Sequence, residues 1–399
     1  MAGHTPPKRL QNYYQITGFI SSGTYGRVYR AKGIKGNEGR TFAIKKFKPD
    51  KEGEPTYTGI SQSATREMAL CAELSHTNVI QHVETYLQDK TIYMVFGYAE
   101  HDLLQIVHHH SQLAQPRKPV PGATVRSILY QLLKGCDYLH KSWVMHRDLK
   151  PANIMVTSAG QVMIGDLGLA RVFREPLVPL YTGDKVVVTI WYRAPELILG
   201  GRHYTPAVDL WAVGCIFAEL VSLRPIFKGE EAKMDSKKNV PFQKSQMQKI
   251  VEVLGFPGEG QWPLLKSYPE HKELGTLYGA ARPPRPMGLR TWWANQMKIN
   301  NYPGNDSPGD QGLSLLEQLL DYNPETRLTA EQALKHKFFD VMRDGEGPGA
   351  RDCFEGCSIE YPKRKISQEE YSQSLPGTKR SGLPDDSLRP PSKRLRDGF

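Results

Sequence analysis

The sequence predicts an α+β fold with strands gathered at the front and helices behind, and three changes of pattern carry that prediction. Residues 13–47 alternate short apolar runs with glycine-rich turns, as an antiparallel meander does. Beyond residue 62 the period lengthens: Ala64, Met68, Cys71 and Leu74 recur at three and four residues, as on one helix face. From about residue 100 onward helical patterning dominates.

After that first helix a strand pair is expected, ending in TIYMVF (91–96). Helices follow, among them VRSILYQLLKGCDYLH (125–140) and VDLWAVGCIFAELV (208–221). The latter carries Asp209 and Glu219, so it reads as a buried core helix and not as a membrane span. Beyond residue 340 proline, glycine, serine and charge run without period, which predicts a mostly disordered tail. No internal repeat is visible.

The 399 residues, 39% of them hydrophobic, suffice for one large domain or two lobes with a sizeable core. The opening MAGHTPPKRLQNYY lacks the apolar stretch of a secretory signal, and no run is long enough to cross a bilayer, so a soluble intracellular protein is expected, without membrane contact. Five scattered cysteines suit a reducing compartment, and Cys353 with Cys357 has no third or fourth ligand beside it for zinc. The formal charge is +10, and residues 1–51 hold eleven Lys and Arg against two acids. That basic front reads as a solvated strand face or a docking surface for an acidic protein. Direct nucleic-acid binding is not expected, because no aromatics interleave with these charges in a recognisable module.

The residues that carry chemistry come in a fixed order. ISSGTYGRV (20–28) is a strand-turn-strand whose backbone amides, around Gly23 and Gly26, could close over a triphosphate. AIK puts Lys45 on the next strand, where its ammonium can neutralise phosphate charge, and Glu67 on the following helix could hold that ammonium. HRDLKPAN (146–153) offers Asp148 to accept a hydroxyl proton, Lys150 near a transferring phosphate and Asn153 as a magnesium ligand. IGDLG supplies Asp166 for the metal that bridges the phosphates, and RAPE (193–196) closes the segment. Phosphoryl transfer requires such charges held around an in-line geometry more than it requires covalent chemistry.

With these motifs the chain resembles the eukaryotic protein kinases over about residues 14–339. The resemblance implies a two-lobed fold with Mg2+ and ATP bound between the lobes. Residues 14–97 would form a five-stranded sheet with one helix and 98–339 a mainly helical lobe, flanked by an extension at 1–13 and the tail at 340–399. It further implies that Ile20, Val28, Ala43 and Phe96 border the adenine, that Tyr98 and Ala99 bond it through their backbones, and that Thr189 helps set Asp148 and Lys150. WYRAPELILG, preceded by Thr189, looks like the cyclin-dependent branch, whose substrates carry Ser or Thr followed by Pro. Proline selection would come from the backbone of Val187 and Val188. SQSATRE (61–67), GYAEHDL (97–103) and EVLGFP are similar to the fungal cyclin C-dependent kinases of the Mediator complex. That implies a cyclin C-type partner, Mediator kinase-module subunits, a nuclear location, and substrates in the RNA polymerase II C-terminal repeats and DNA-bound activators. Two other readings stay open: a catalytically idle scaffold, and a kinase of another cyclin-dependent subtype.

Three features depart from the general kinase pattern. Ser21 replaces the first glycine of the phosphate loop, Leu167 replaces the usual Phe after the metal-binding Asp, and KFKPDKEGEPTYTG intervenes before the helix, which a partner would have to fix. The position of the family's activating phosphothreonine falls on Asp184, with Thr182 two residues before it. By resemblance Arg66, Arg147 and Arg171 converge there, and one carboxylate carries less charge than a phosphate. The expectation is that Asp184 gives partial ordering completed by an acidic side chain of the cyclin, with Thr182 phosphorylation the alternative.

The remaining features divide between structure and addressing. His108, His109 and His110 read as a solvated loop. By resemblance Asp209 buttresses the HRD loop, and Arg327 is expected to pair with Glu196. In the tail, KR (379–380) and SKRLR (392–396) fit a bipartite nuclear-import signal.

Overall fold

The meander forms as β1 (Tyr14–Ser22), β2 (Gly26–Gly33) and β3 (Thr41–Phe47). In β3 the two-residue period serves two cores at once. Phe42 and Ile44 enter a small cluster with Leu10, Tyr14, Ala31, Tyr86 and Val95, while Ala43, Lys45 and Phe47 share the opposite face, turned to the main core. Gly26 opens β2 where no side chain fits, since a Cβ there would lie 2.4 Å from the Lys46 carbonyl oxygen. The structure, a computed structural model, describes residues 8–23, 26–48, 62–89, 91–113, 118–173, 189–203, 205–232, 241–304 and 306–368.

The helix α1 (Gln62–Glu73) buries Ala64, Leu70 and Cys71, with Met68 packed beside them, as its spacing predicts. The strands β4 (His82–Gln88) and β5 (Thr91–Gly97) complete an antiparallel five-stranded sheet in the order β1-β2-β3-β5-β4. The short β6 (His101–Asp102) then leads into α2 (Leu103–Gln112), capped by Asp102, whose side chain accepts from the Gln105 amide. The helix α3 (Gly122–Lys141), the short strands β7 (Val144–Met145), β8 (Ile154–Val156), β9 (Val162–Ile164) and β10 (Arg171–Val172), and the helices α4 (Pro195–Ile198) and α5 (Ala207–Ser222) build the second lobe. Nearly every side chain of α5 is buried, Trp211 and Phe217 completely, so this is the core helix that its apolar run predicts. Among the described residues no helix is long and apolar enough to cross a membrane.

Two expectations fail here. His108–His110 lie within α2, not in a loop, and His110 is fully buried. The reason is tertiary: its Nδ1–H donates to the Lys118 carbonyl at 2.9 Å, and its Nε2 accepts from the Tyr361 hydroxyl at 3.0 Å. Disorder beyond residue 340 also fails, for residues 341–368. Lys337–Gly345 is a 3-10 helix, and Ala350, Cys353 and Tyr361 beyond it are buried in the main core. Between Gly347 and Ser367 that segment holds the body through single anchoring side chains and backbone bonds. With no helix or strand period, pattern analysis has nothing to detect.

Candidate active site

The site grows from the end of β7. Buried Asp209 of α5 accepts from the His146 amide at 2.9 Å and the Arg147 amide at 2.8 Å, and from His140 Nε2 at 2.9 Å. Burial alone would raise its carboxyl, but the His140 hydrogen bond, the two imidazoles and the Arg147 amide hold it below the usual carboxylate range. The clamp is needed because Arg147 has φ +66°, a left-handed conformation that costs a non-glycine residue free energy. His146 links this loop to the next one: its Nδ1 accepts from the Asp148 amide at 3.2 Å and its Nε2–H donates to the Gly165 carbonyl at 2.9 Å.

On this base Asp148 is buried, with one carboxylate oxygen taken by Lys150 Nζ at 2.8 Å and Asn153 Nδ2 at 3.0 Å. Its other oxygen, Oδ1, is buried with no hydrogen-bond partner among the described residues. Burial pushes the Asp148 carboxyl up, against the pull of the Lys150 ammonium. A buried acceptor with a free oxygen can take the proton of an incoming hydroxyl.

Within electrostatic reach of Asp148 is a three-membered cluster. Lys45 Nζ lies 2.6 Å from Glu67 of α1 and 2.8 Å from Asp166, joining the sheet, the helix and the loop before Leu167. Burial opposes the charge on Lys45, but the two carboxylates outweigh it and raise the ammonium's pKa. One cation cannot balance two acids, of which Glu67 is the buried one. Burial pushes Glu67 up to about 7 despite Lys45, while Asp166, also raised by burial, is drawn down to about 2 by Lys45 and Lys150. Asp166 has φ +59°, and Leu167 after it is buried in the 3-10 turn Leu167–Leu169, which packs against α1. The leucine therefore fills an apolar slot in an arrangement where Lys45 and Glu67 are already paired.

The residues expected around the adenine are brought together by the sheet and its exit. Val28 pairs with Lys45 and Ala43 with Phe96 across neighbouring strands, while Ile20 lies on β1. Phe96 and Ala99 are buried, and Tyr98 lies between them under the Arg30 guanidinium, 5.8 Å away. Gly23 donates its amide to the Gly26 carbonyl at 2.9 Å, closing the turn whose tip lies outside the described residues. Thr189 is exposed, immediately before the 3-10 turn Ile190–Tyr192. Thr182, Asp184, Val187 and Val188 lie outside the described residues. Of the three arginines, Arg66 donates to the Gly168 carbonyl at 3.4 Å and Arg147 to the Leu169 carbonyl at 2.8 Å, and Arg171 follows on β10. Arg66 and Arg147 thus meet at 168–169, two residues before Arg171 in the chain.

These donors fit a nucleotide with its metal. The amide nitrogen of Asn153 is committed to the Asp148 carbonyl and carboxylate, which leaves its carboxamide oxygen for a cation, beside an Asp166 carboxylate that stays ionised. A divalent metal there would neutralise phosphate charge during transfer.

One residue outside the motifs ties the connection after β5 to β8. Arg364 lies 3.4 Å from Asp102, bonds the His101 carbonyl, and meets the sulfur of Met155 on β8. The apolar Tyr361 and Ile366 in otherwise polar text were the only cue to it.

Comparison with known proteins agrees with this geometry. The protein kinase domain family matches residues 14–339. A protein named serine/threonine-protein kinase SSN3 from Phaeosphaeria nodorum is 63% identical over 99% of this chain and 90% of its own length. Proteins of the same name from Emericella nidulans and Gibberella moniliformis are 59% and 58% identical, each over 99% of this chain and 94% of their own. With the matched domain come ATP and a divalent metal as the family's requirements. The chain belongs to the protein kinase family, and within it to the serine/threonine protein kinases.

Proposed function

We propose that this kinase transfers the ATP γ-phosphate to Ser or Thr followed by Pro, under control of a cyclin C-type partner. Its setting is the kinase module of the Mediator complex, and its substrates are the RNA polymerase II C-terminal repeats and transcription factors. Asp148 orients the substrate hydroxyl and accepts its proton, and Lys150 and Thr189 set the geometry. Lys45 with Glu67 holds the phosphates, Asn153 and Asp166 carry Mg2+, and Ile20, Gly23, Gly26, Val28, Ala43, Phe96, Tyr98 and Ala99 border the nucleotide. One observation carries the enzymatic reading: the buried oxygen of Asp148 with no partner among the described residues, within electrostatic reach of an Asp166 that shares Lys45 with Glu67. An idle scaffold has no physical reason to keep that set. The cyclin and Mediator assignments draw on the motifs 61–67 and 97–103 and on the SSN3 relatives.

In the anion site, Asp184 gives partial ordering through Arg66, Arg147 and Arg171, an acidic cyclin side chain completes it, and Thr182 phosphorylation is the alternative. The basic clusters 379–380 and 392–396, which lie outside the described residues, act as a nuclear-import signal. The test is to purify the chain with its co-purifying cyclin and assay Ser-Pro and Ser-Ala peptides beside an Asp148→Asn variant. Equal activity of the two enzymes would sink the catalytic reading, and equal use of the two peptides the proline reading. In the same preparation Thr182→Ala and Asp184→Ala decide the anion site. Loss of turnover only in the threonine variant would overturn the role of Asp184.

A further inference from the structure

After Tyr361 the chain leaves the second lobe and ends its described course on the first. The Pro362 carbonyl accepts from His101 Nδ1 at 2.9 Å, and the Arg364 amide donates to the Glu100 carbonyl at 2.8 Å. Glu100–Asp102 belong to the connection between β5 and α2, the strand-to-helix passage from sheet to second lobe. Three residues later, Ser367 and Phe19 exchange both backbone bonds, Phe19 donating at 2.8 Å and Ser367 at 3.1 Å. Phe19 lies on β1, an edge strand of the sheet, which runs directly into the turn at Gly23–Gly26 proposed above to border the nucleotide.

The strand is shaped for this contact. A Cβ on Gly18 would stand 2.2 Å from Ile366 Cγ2 and 3.0 Å from the Ser367 carbonyl oxygen, so only glycine lets the segment seat. The two anchors are only three residues apart in the chain. From Arg364 to Ser367 the backbone can span at most roughly 11 Å. Movement of β1 away from the connection beyond that reach must break either the Ser367 pair or the Arg364 anchor.

We propose that residues 361–368 form a strap that positions the strand bearing the phosphate loop against the interlobe connection and so sets how fast nucleotide leaves the cleft. Gly18, Arg364, Ile366 and Ser367 are positioning residues for the kinase reaction. The inference rests on nucleotide binding in the cleft and is independent of the cyclin and Mediator proposals.

The test uses the full-length chain with Mg2+ and a fluorescent ADP analogue, chased with excess ADP in a stopped-flow instrument. Ser367→Pro removes the donated bond from the strap side, and Gly18→Val blocks the seat from the strand side. Each is expected to speed release by roughly fivefold or more. The double variant should be no faster than the quicker single one, because both break one contact. Arg364→Ala, which leaves β1 untouched, provides a third route should Gly18→Val fail to fold. Amide hydrogen exchange at Ile366 and Ser367 reports whether the strap has detached. Release unchanged to within about twofold in a folded variant whose strap amides have lost protection would overturn the proposal, as would multiplication of rates in the double variant. A wild-type chain that never retains the analogue would overturn the nucleotide-site reading as well, so the two failures are distinguishable.

Discussion

Asp148 has two donors on one carboxylate oxygen and none on the other, and the proposed chemistry belongs to the second. Asp148→Asn replaces a proton acceptor with an amide of the same size. We predict that single-turnover peptide phosphorylation falls by about 10^2–10^4-fold while nucleotide affinity, read by the fluorescent analogue, is retained. Arg327 is a residue of the opposite kind. Its guanidinium is fully buried and bonds both oxygens of Glu196, at 2.8 and 3.0 Å, as the resemblance suggested. Removing one partner strands the other charge, so Arg327→Ala should lower stability in urea by roughly 3–5 kcal/mol. The double change Arg327→Met with Glu196→Gln should recover much of that loss, because desolvation of both charges disappears together.

At the scale of elements, α5 acts on the catalytic loop through one carboxylate, and α2 holds the terminal segment through one imidazole. Asp209→Ala leaves the amides of His146 and Arg147 without their acceptor and Arg147 without support for its positive φ. Turnover should fall at least about tenfold, with stability lowered by roughly 2–4 kcal/mol, measured by assay and by denaturation. The imidazole of His110 is pushed down to about 4 by burial, with His109 adding to this and the Lys118 carbonyl opposing it. In the unfolded chain it titrates near about 6.5, so between these values the unfolded state binds more protons. Its contribution is complete above about pH 6.5 and is lost as pH falls toward 4, amounting to about 3 kcal/mol. His110→Phe should flatten that part of the stability profile. An unchanged slope between pH 6.5 and 4 would show that other groups dominate it.

At the scale of the whole molecule, the kinase domain and the segment beyond it share one core. Ala350, Cys353 and Tyr361 lie in the main cluster with α3 and α5, and the Ser127 hydroxyl bonds the Gly349 carbonyl. Truncation after Gly345 should therefore expose apolar surface on the second lobe and cost roughly 4 kcal/mol, a fall in melting temperature on the order of 5 °C. A chain ending at Pro362 keeps Tyr361 and should lose far less stability while releasing nucleotide faster, which separates the anchoring of the segment from the strap.

How much was legible in the sequence follows from how local each signal was. Lys45, Glu67, Asp148, Asn153 and Asp166 were readable because each sits in a short motif whose chemistry constrains its neighbours. Strands β1–β3, α1 and α5 were readable because a repeating period writes itself into consecutive residues. The buried His110, the packed segment 346–368 and the place of Arg364 beside Asp102 and Met155 were not. Each depends on partners far away in the chain, 251 residues for His110 and Tyr361 and 209 for Arg364 and Met155, and single anchors leave no period. The sequence by itself determined the fold class and the family, and it named the candidate reacting groups, because those are set by local pattern and side-chain chemistry. Only the tertiary structure decided which oxygen of Asp148 stays free, how one lysine is shared between two acids, and where the chain beyond the domain is tied, because burial and distance exist only once the chain has folded.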